Sequence, residues 1–154
     1  MAVALAEART AAVGGDVPVG AVVVRDGVVI ARAGNRTVRD QDATAHAECV
    51  AIREASRVTG SWRLAGCTLF VTLEPCAMCA GAIVLARLDR VVFAAWDDKA
   101  GMSGSVGDLL RHPKLNHRPA VQGGLDADAS SALLRDFFAA RRSRDFVDTP
   151  LTGT

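Results

Sequence analysis

Apolar positions along this chain switch between a helical and an extended period, and the switches mark its elements. Residues 1–13 are alanine-rich with Leu5, Ala8 and Ala12 on one side, a helix that Gly14-Gly15 ends. Val17–Arg25 and Val28–Arg32 are β-branched runs on either side of Asp26-Gly27, a dipeptide that accepts the positive φ values of a hairpin turn. Within them, Val22-Val23-Val24 and Val28-Val29-Ile30 are apolar without alternation, which predicts strands covered on both faces. Helices must then flank the sheet. A helix is expected from a cap at Thr44, a strand at Thr68–Thr72, a helix over Pro75–Arg87 and a strand at Val91–Ala95. Strand, helix and strand in so short a span imply a βαβ crossover and parallel pairing. Gly101–Gly107 reads as a flexible stretch before a short helix near Val106–Arg111. Ala127–Arg144 places Leu133, Leu134, Phe137 and Phe138 at helical spacing. The expected architecture is α/β, a mixed sheet between helices, in a single domain over 1–154 with 145–154 as a flexible tail.

Composition narrows the class. A chain of 154 residues, half of them hydrophobic and 23% charged, is long enough to bury a core without disulfides and too apolar for disorder. Glu7 and Arg9 interrupt the apolar start, no run approaches the ~20 residues of a membrane span, and no secretory cleavage pattern follows Met1. A cytoplasmic protein with no membrane partner is expected. In a reducing compartment the four cysteines point to metal or to core packing, and Cys49 and Cys67 read as small buried residues. The net charge of +1 is unevenly spread: residues 109–144 hold seven Lys/Arg against three Asp, a local +4. That third can meet phosphates, or it is an ordinary solvated helix face.

The candidate chemistry lies in His46-Ala47-Glu48 and, 30 positions after His46, Cys76 of Pro75-Cys76-Ala77-Met78-Cys79. His46, Cys76 and Cys79 make three zinc ligands; a structural zinc site is closed by a fourth side chain, whereas three leave a position open for water. Pro75 suits the first turn of a helix, Cys76 and Cys79 three apart share a face, and the helix N-terminus favours thiolates. With Thr44 as cap, His46 and Glu48 fall in the opening turn of a second helix, so a zinc between two helix N-termini is expected. Glu48 is then free to move protons, and hydrolytic deamination of an amino-substituted heterocycle uses this equipment. The blander role for Glu48 is to orient His46 or to face the helix dipole. A closed Cys76–Cys79–His112–His117 site would need a Cys-to-His gap of 32 residues, far from the ~12 of a zinc finger, and would leave His46 and Glu48 unexplained. His112 and His117 therefore read as loop residues.

From about residue 3 to 142 the chain resembles the bacterial tRNA-specific adenosine deaminases of the cytidine-deaminase-like superfamily. The resemblance rests on Val17-Pro18-Val19-Gly20-Ala21, Gly34-Asn35-Arg36, Thr44–Glu48, Val71–Ala82, Asn116-His117-Arg118 and Leu133–Phe138. The zinc signature marks the superfamily; the flanking blocks and the double phenylalanine mark the tRNA branch. The resemblance implies a cytidine-deaminase-like three-layer α/β/α sandwich with a five-stranded mixed sheet. It also implies a homodimer, one Zn2+ per subunit and conversion of adenosine to inosine at the wobble position of a tRNA anticodon stem-loop. His46, Cys76 and Cys79 would bind the zinc and Glu48 would be catalytic. Asn35 would hydrogen-bond the flipped nucleotide, and Asp97 would touch a neighbouring ribose. On the last helix, Phe138 would offer a face to a splayed base, or pack with Phe137 in core or interface, and Arg141 and Arg142 would meet phosphates. Trp96, beside Asp97, departs from the family pattern. A deaminase of a free base or nucleoside, such as guanine or cytosine, would share the zinc residues without needing a basic aromatic last helix. A non-catalytic zinc module that binds RNA would have no use for Glu48.

Overall fold

The computed structural model describes residues 1–147, with side chains to residue 143; most of the tail expected over 145–154 lies outside the described residues. Ten elements follow one another: α1 (Ala2–Val13), β1 (Gly20–Arg25), β2 (Val28–Gly34), α2 (Thr37–Asp40), α3 (Ala47–Thr59), β3 (Cys67–Leu73), α4 (Ala77–Leu85), β4 (Arg90–Ala95), β5 (Ala120–Gly123) and α5 (Ala127–Val147). The five strands form one sheet in the order β2-β1-β3-β4-β5. β1 runs antiparallel to β2 and β3, while β3–β4 and β4–β5 are parallel. α1 and α5 pack on one face and α3 and α4 on the other, the expected three layers.

The central strands are apolar without alternation because both faces are covered. On β1, Ala21 and Val23 join the core under α3 and α4, while Val22 is buried against the opposite layer. β4 repeats this with Val91 and Phe93 on the first face and Val92 and Ala94 on the second. Phe93, fully buried, is the largest side chain of that core, and burying such a ring contributes roughly 1.5–3 kcal/mol. α1 can lie close to β1 because its contact face is alanine and because Gly20 carries no Cβ, which would run into the Ala4 carbonyl. The buried stripe of α1 is Ala4, Leu5, Ala8 and Ala11, so the expected Ala12 sits at its margin. Asp26 and Gly27 both have positive φ (51° and 76°), as the tight hairpin requires.

Three expectations are corrected, and one strand is added that the residue pattern did not mark. β2 is an edge strand, and Val28 and Val29 at its hairpin end remain 60% and 42% exposed because no helix reaches that far. Thr44 does not cap α3: its amide and hydroxyl both bond Asp42 Oδ1, and His46 is the residue before the first turn. Residues 106–111 form turns instead of a short helix; Asp108 Oδ1 accepts the Arg111 amide, and Ser103 and Asp108 pair in an isolated bridge. Ala120–Gly123, with a single β-branched residue, forms a strand because it lies parallel to β4 at the sheet edge. Among the described residues no helix is long and apolar enough to cross a membrane.

Candidate active site

His46 and Cys76 each occupy the position just before a helix, α3 and α4 respectively, and Cys79 stands in the first turn of α4. The two helix starts therefore point their free amides and positive dipole ends at the same place. His46 Nδ1 lies 3.6 Å from Cys76 Sγ and 3.5 Å from Cys79 Sγ. Tetrahedral zinc with bonds of about 2.3 Å to sulfur and 2.0–2.1 Å to nitrogen separates such atoms by about 3.5 Å, so the donor set fits zinc in chemistry and in spacing. All three donor atoms lie within 4.8 Å of one another, and among the described residues no fourth His, Cys, Asp or Glu joins them. Cys49 Sγ approaches Cys79 Sγ at 3.9 Å, and Cys49 is half-buried at the groove between α3 and α4, a correction to its expected full burial. Cys67 is buried as expected.

The three donors share protons through hydrogen bonds to one another. Hydrogen bonding from Cys79, and then from His46, pulls the Cys76 thiol down to about 3. The Cys79 thiol is pushed up, because it donates to Cys49 and Cys76, and a separate hydrogen bond from His46 to Cys76 raises the His46 imidazole. Glu48, only 3% exposed, is pushed up to about 7 by burial, which disfavours its charged form. A carboxyl group that titrates near neutrality can accept and release a proton in one catalytic cycle.

Both His46 and Glu48 open on one cavity of about 300 Å³ whose lining also includes Asn35, Cys76, Asp97 and Val19. Asn35 is 8% exposed; its Oδ1 accepts the Ala47 amide at 2.8 Å, the bond that Thr44 had been expected to supply to α3. That bond uses the acceptor oxygen of an amide whose residue lines the cavity, and the Nδ2 group is its donor. Asp97, half-buried, also lines the cavity, its Oδ1 accepting the amides of Lys99 and Ala100.

Residues 1–95 match the zinc-binding region of cytidine and deoxycytidylate deaminases. Over 141 residues the chain is 46% identical to the tRNA-specific adenosine deaminase of Bacillus subtilis (strain 168), covering 92% of this chain and 88% of the relative. The chain belongs to the tRNA-specific adenosine deaminase family. A solved tRNA:A34 deaminase, studied for A-to-I editing at the wobble position of transfer RNA, superposes with a TM-score of 0.84 at 48% identity, covering 87% of this chain and 97% of that one. Guanine deaminase from Nitrosomonas europaea shares the fold more distantly, with a TM-score of 0.78 at 26% identity over 88% of this chain and 81% of that one. Zinc is the cofactor of this deaminase fold, and the donor set above is where this chain can hold it.

The remaining residues expected at the site lie apart from the cavity, on α5. Phe138 is 42% exposed and stacks edge-on with Phe137. Phe137 is half-buried, with the Arg141 guanidinium 4.9 Å above its ring, and Arg141 Nη2 also bonds the Gly15 carbonyl. Arg141 thus ties α5 to the end of α1, while Arg142 is exposed. His117 lies in a loop and bonds the Leu88 carbonyl through Nε2. Two buried acids of this deaminase escaped sequence reasoning. Asp16 accepts the amides of Val38 and Arg39, fixing α2 at the cavity rim. Glu74 collects four hydrogen bonds from the loop that carries Asp97. Their signal was an acidic residue at a block already singled out, beside Val17-Pro18 for the first and within Val71–Ala82 for the second.

Proposed function

We propose that the protein converts adenosine to inosine at the wobble position of a tRNA anticodon loop by zinc-dependent hydrolysis. The observation that carries this reading is that Glu48 and two members of the donor cluster, His46 and Cys76, line one cavity of about 300 Å³ with Cys79 buried behind them, a size suited to one small ligand. His46, Cys76 and Cys79 would hold the metal. When bound, zinc lowers the pKa of a water from 15.7 to about 7 and so makes a nucleophile available at neutral pH. Glu48 takes a proton from the attacking water and gives it to N1 of the purine as C6 becomes tetrahedral; it then takes the remaining proton from the new C6 hydroxyl and passes it to the amino group, which leaves as ammonia as the C6 carbonyl forms. Positioned proton transfer of this kind is worth typically ~10²–10⁴ in rate. Asn35 orients the purine nucleoside through its amide, and Asp97 meets the sugar. Phe138 and Arg142 contact the loop outside the cavity, with Arg141 bracing the helix that carries them. A base already in a single-stranded loop reaches the cavity without the cost of opening a duplex.

The protein acts as a homodimer in the cytoplasm. The groove between α3 and α4, with Trp62 and Leu85 exposed along it, supports the first of these. The test incubates wild type and Glu48→Ala with an anticodon stem-loop bearing a wobble adenosine, and separately with guanine, cytosine and free adenosine, and detects products by mass spectrometry. Inosine from the stem-loop with wild type alone is expected. Product from guanine or cytosine without inosine would assign the cavity to a free base.

A further inference from the structure

Glu74 is 2% exposed, and the proton transfers do not use it. Its Oε1 accepts the amides of Ser103 (2.9 Å) and Ser105 (3.1 Å); its Oε2 accepts the amide of Asp97 (2.9 Å) and the hydroxyl of Ser105. Burial works to raise its pKa, yet the donors outweigh burial and hold the carboxyl below its ordinary value. The donors all belong to residues 97–105, a segment with no helix or strand of its own. That segment is also laid along the residues after Glu74: Met102 N–H bonds the Pro75 carbonyl, and Gly101 pairs with Cys76 in an isolated bridge. A Cβ on Gly101 would collide with the Glu74 carboxylate and the Asp97 carbonyl, so the glycine is what lets the loop close down on the acid. Asp97 and Ala100 of the same segment line the cavity.

We infer that Glu74 is a positioning residue: its buried carboxylate clamps the 97–105 loop to the strand end that carries Cys76, and thereby sets Asp97 and Ala100 as the wall against which the substrate is held. The inference rests on the reading of this cavity as the nucleoside site. Four donors need two acceptor oxygens with two bonds each. A carboxylate meets that demand, whereas an amide offers one oxygen and turns an N–H₂ group toward N–H donors. Glu74→Gln is therefore isosteric and still releases half of the clamp.

The test uses the zinc-loaded protein carrying Trp62→Phe, which leaves Trp96 as the sole tryptophan. Trp96 adjoins Asp97 in sequence, and its ring rests 3.4 Å from where a Cβ on Gly104 would stand, so its emission reports the loop without any substrate. Glu74→Gln is expected to raise KM for the stem-loop at least about tenfold, to change kcat less than about threefold, to keep one zinc per chain, and to shift Trp96 emission. In an Asp97→Ala background the same substitution is expected to change KM less than about twofold, because the residue it positions is gone. Ser105→Ala removes one donor and leaves the acid intact, and it should move KM and emission the same way by a smaller factor. It carries the test if circular dichroism shows Glu74→Gln unfolded. Lost zinc, a fall in kcat at constant KM, unchanged emission, or the same KM factor in both backgrounds would each overturn the inference. A wild type inactive on the stem-loop would defeat the functional reading instead, and Trp96 emission would then decide this inference alone.

Discussion

At Glu48 two demands meet in one carboxyl group: it must be buried enough to titrate near neutrality and close enough to the donor cluster to serve a water held there. The spacing of His46, Glu48, Cys76 and Cys79 made this group readable in the sequence, because few residue sets combine three soft donors with a spare acid. Glu74 was not readable in the same way. Its role depends on amides from residues 97, 103 and 105, and backbone donors leave no mark in side-chain patterns. Burial of Glu48 has a cost that can be measured with the metal removed. In the metal-free protein its carboxyl holds a proton up to about pH 7, while the unfolded chain releases it at about 4.5. Stability from this group is therefore fully present below about pH 4.5 and is lost as pH rises through 7. Metal-free Glu48→Gln should be more stable than metal-free wild type at pH 8 by up to roughly 3 kcal/mol. The difference should close below about pH 4.5, as urea denaturation at the two pH values would reveal. A constant difference would mean that Glu48 is not buried as a neutral acid.

At the scale of elements, α5 separates two arginines that look alike in sequence. Arg141 caps the ring of Phe137 and reaches the Gly15 carbonyl, so it fastens α5 to α1; Arg142 is exposed. Arg141→Ala should destabilise the fold by about 1 kcal/mol, seen as a lower Tm. Arg142→Ala should leave Tm unchanged, weaken stem-loop binding and reduce the salt dependence of log Kd by about 0.7–1, the contribution of one phosphate contact. Equal effects of both on binding and stability would contradict that division. Helical spacing foretold α5 and the glycine stop foretold the end of α1, since both signals are local. The start of α3 was misread because its first amide is satisfied by Asn35, twelve residues upstream, rather than by the nearby Thr44. β5 was missed in the residue pattern because its partner β4 supplies the order that Ala120–Gly123 lack on their own.

For the whole molecule, the layered sheet explains why the cavity lies where it does. Glu74 and Asp97 follow the ends of the parallel strands β3 and β4, and α3 and α4 begin beside them, so polar backbone ends and side chains converge there. The exposed Trp62 and Leu85 sit on the α3–α4 side, away from α5, so the proposed dimer through the groove would leave the proposed RNA-binding helix uncovered. Sedimentation of the wild type should give a dimer and Leu85→Glu a monomer; a monomeric wild type would remove the groove's assigned partner.

The most direct single measurement compares wild type and Glu48→Gln, both shown by elemental analysis to carry one zinc per chain, for inosine formed in an anticodon stem-loop at pH 7.5. Intact metal with a rate at least about 10²-fold lower in the variant is the expected result. Comparable rates in the two proteins, with zinc equally retained, would mean that the proton travels by another group.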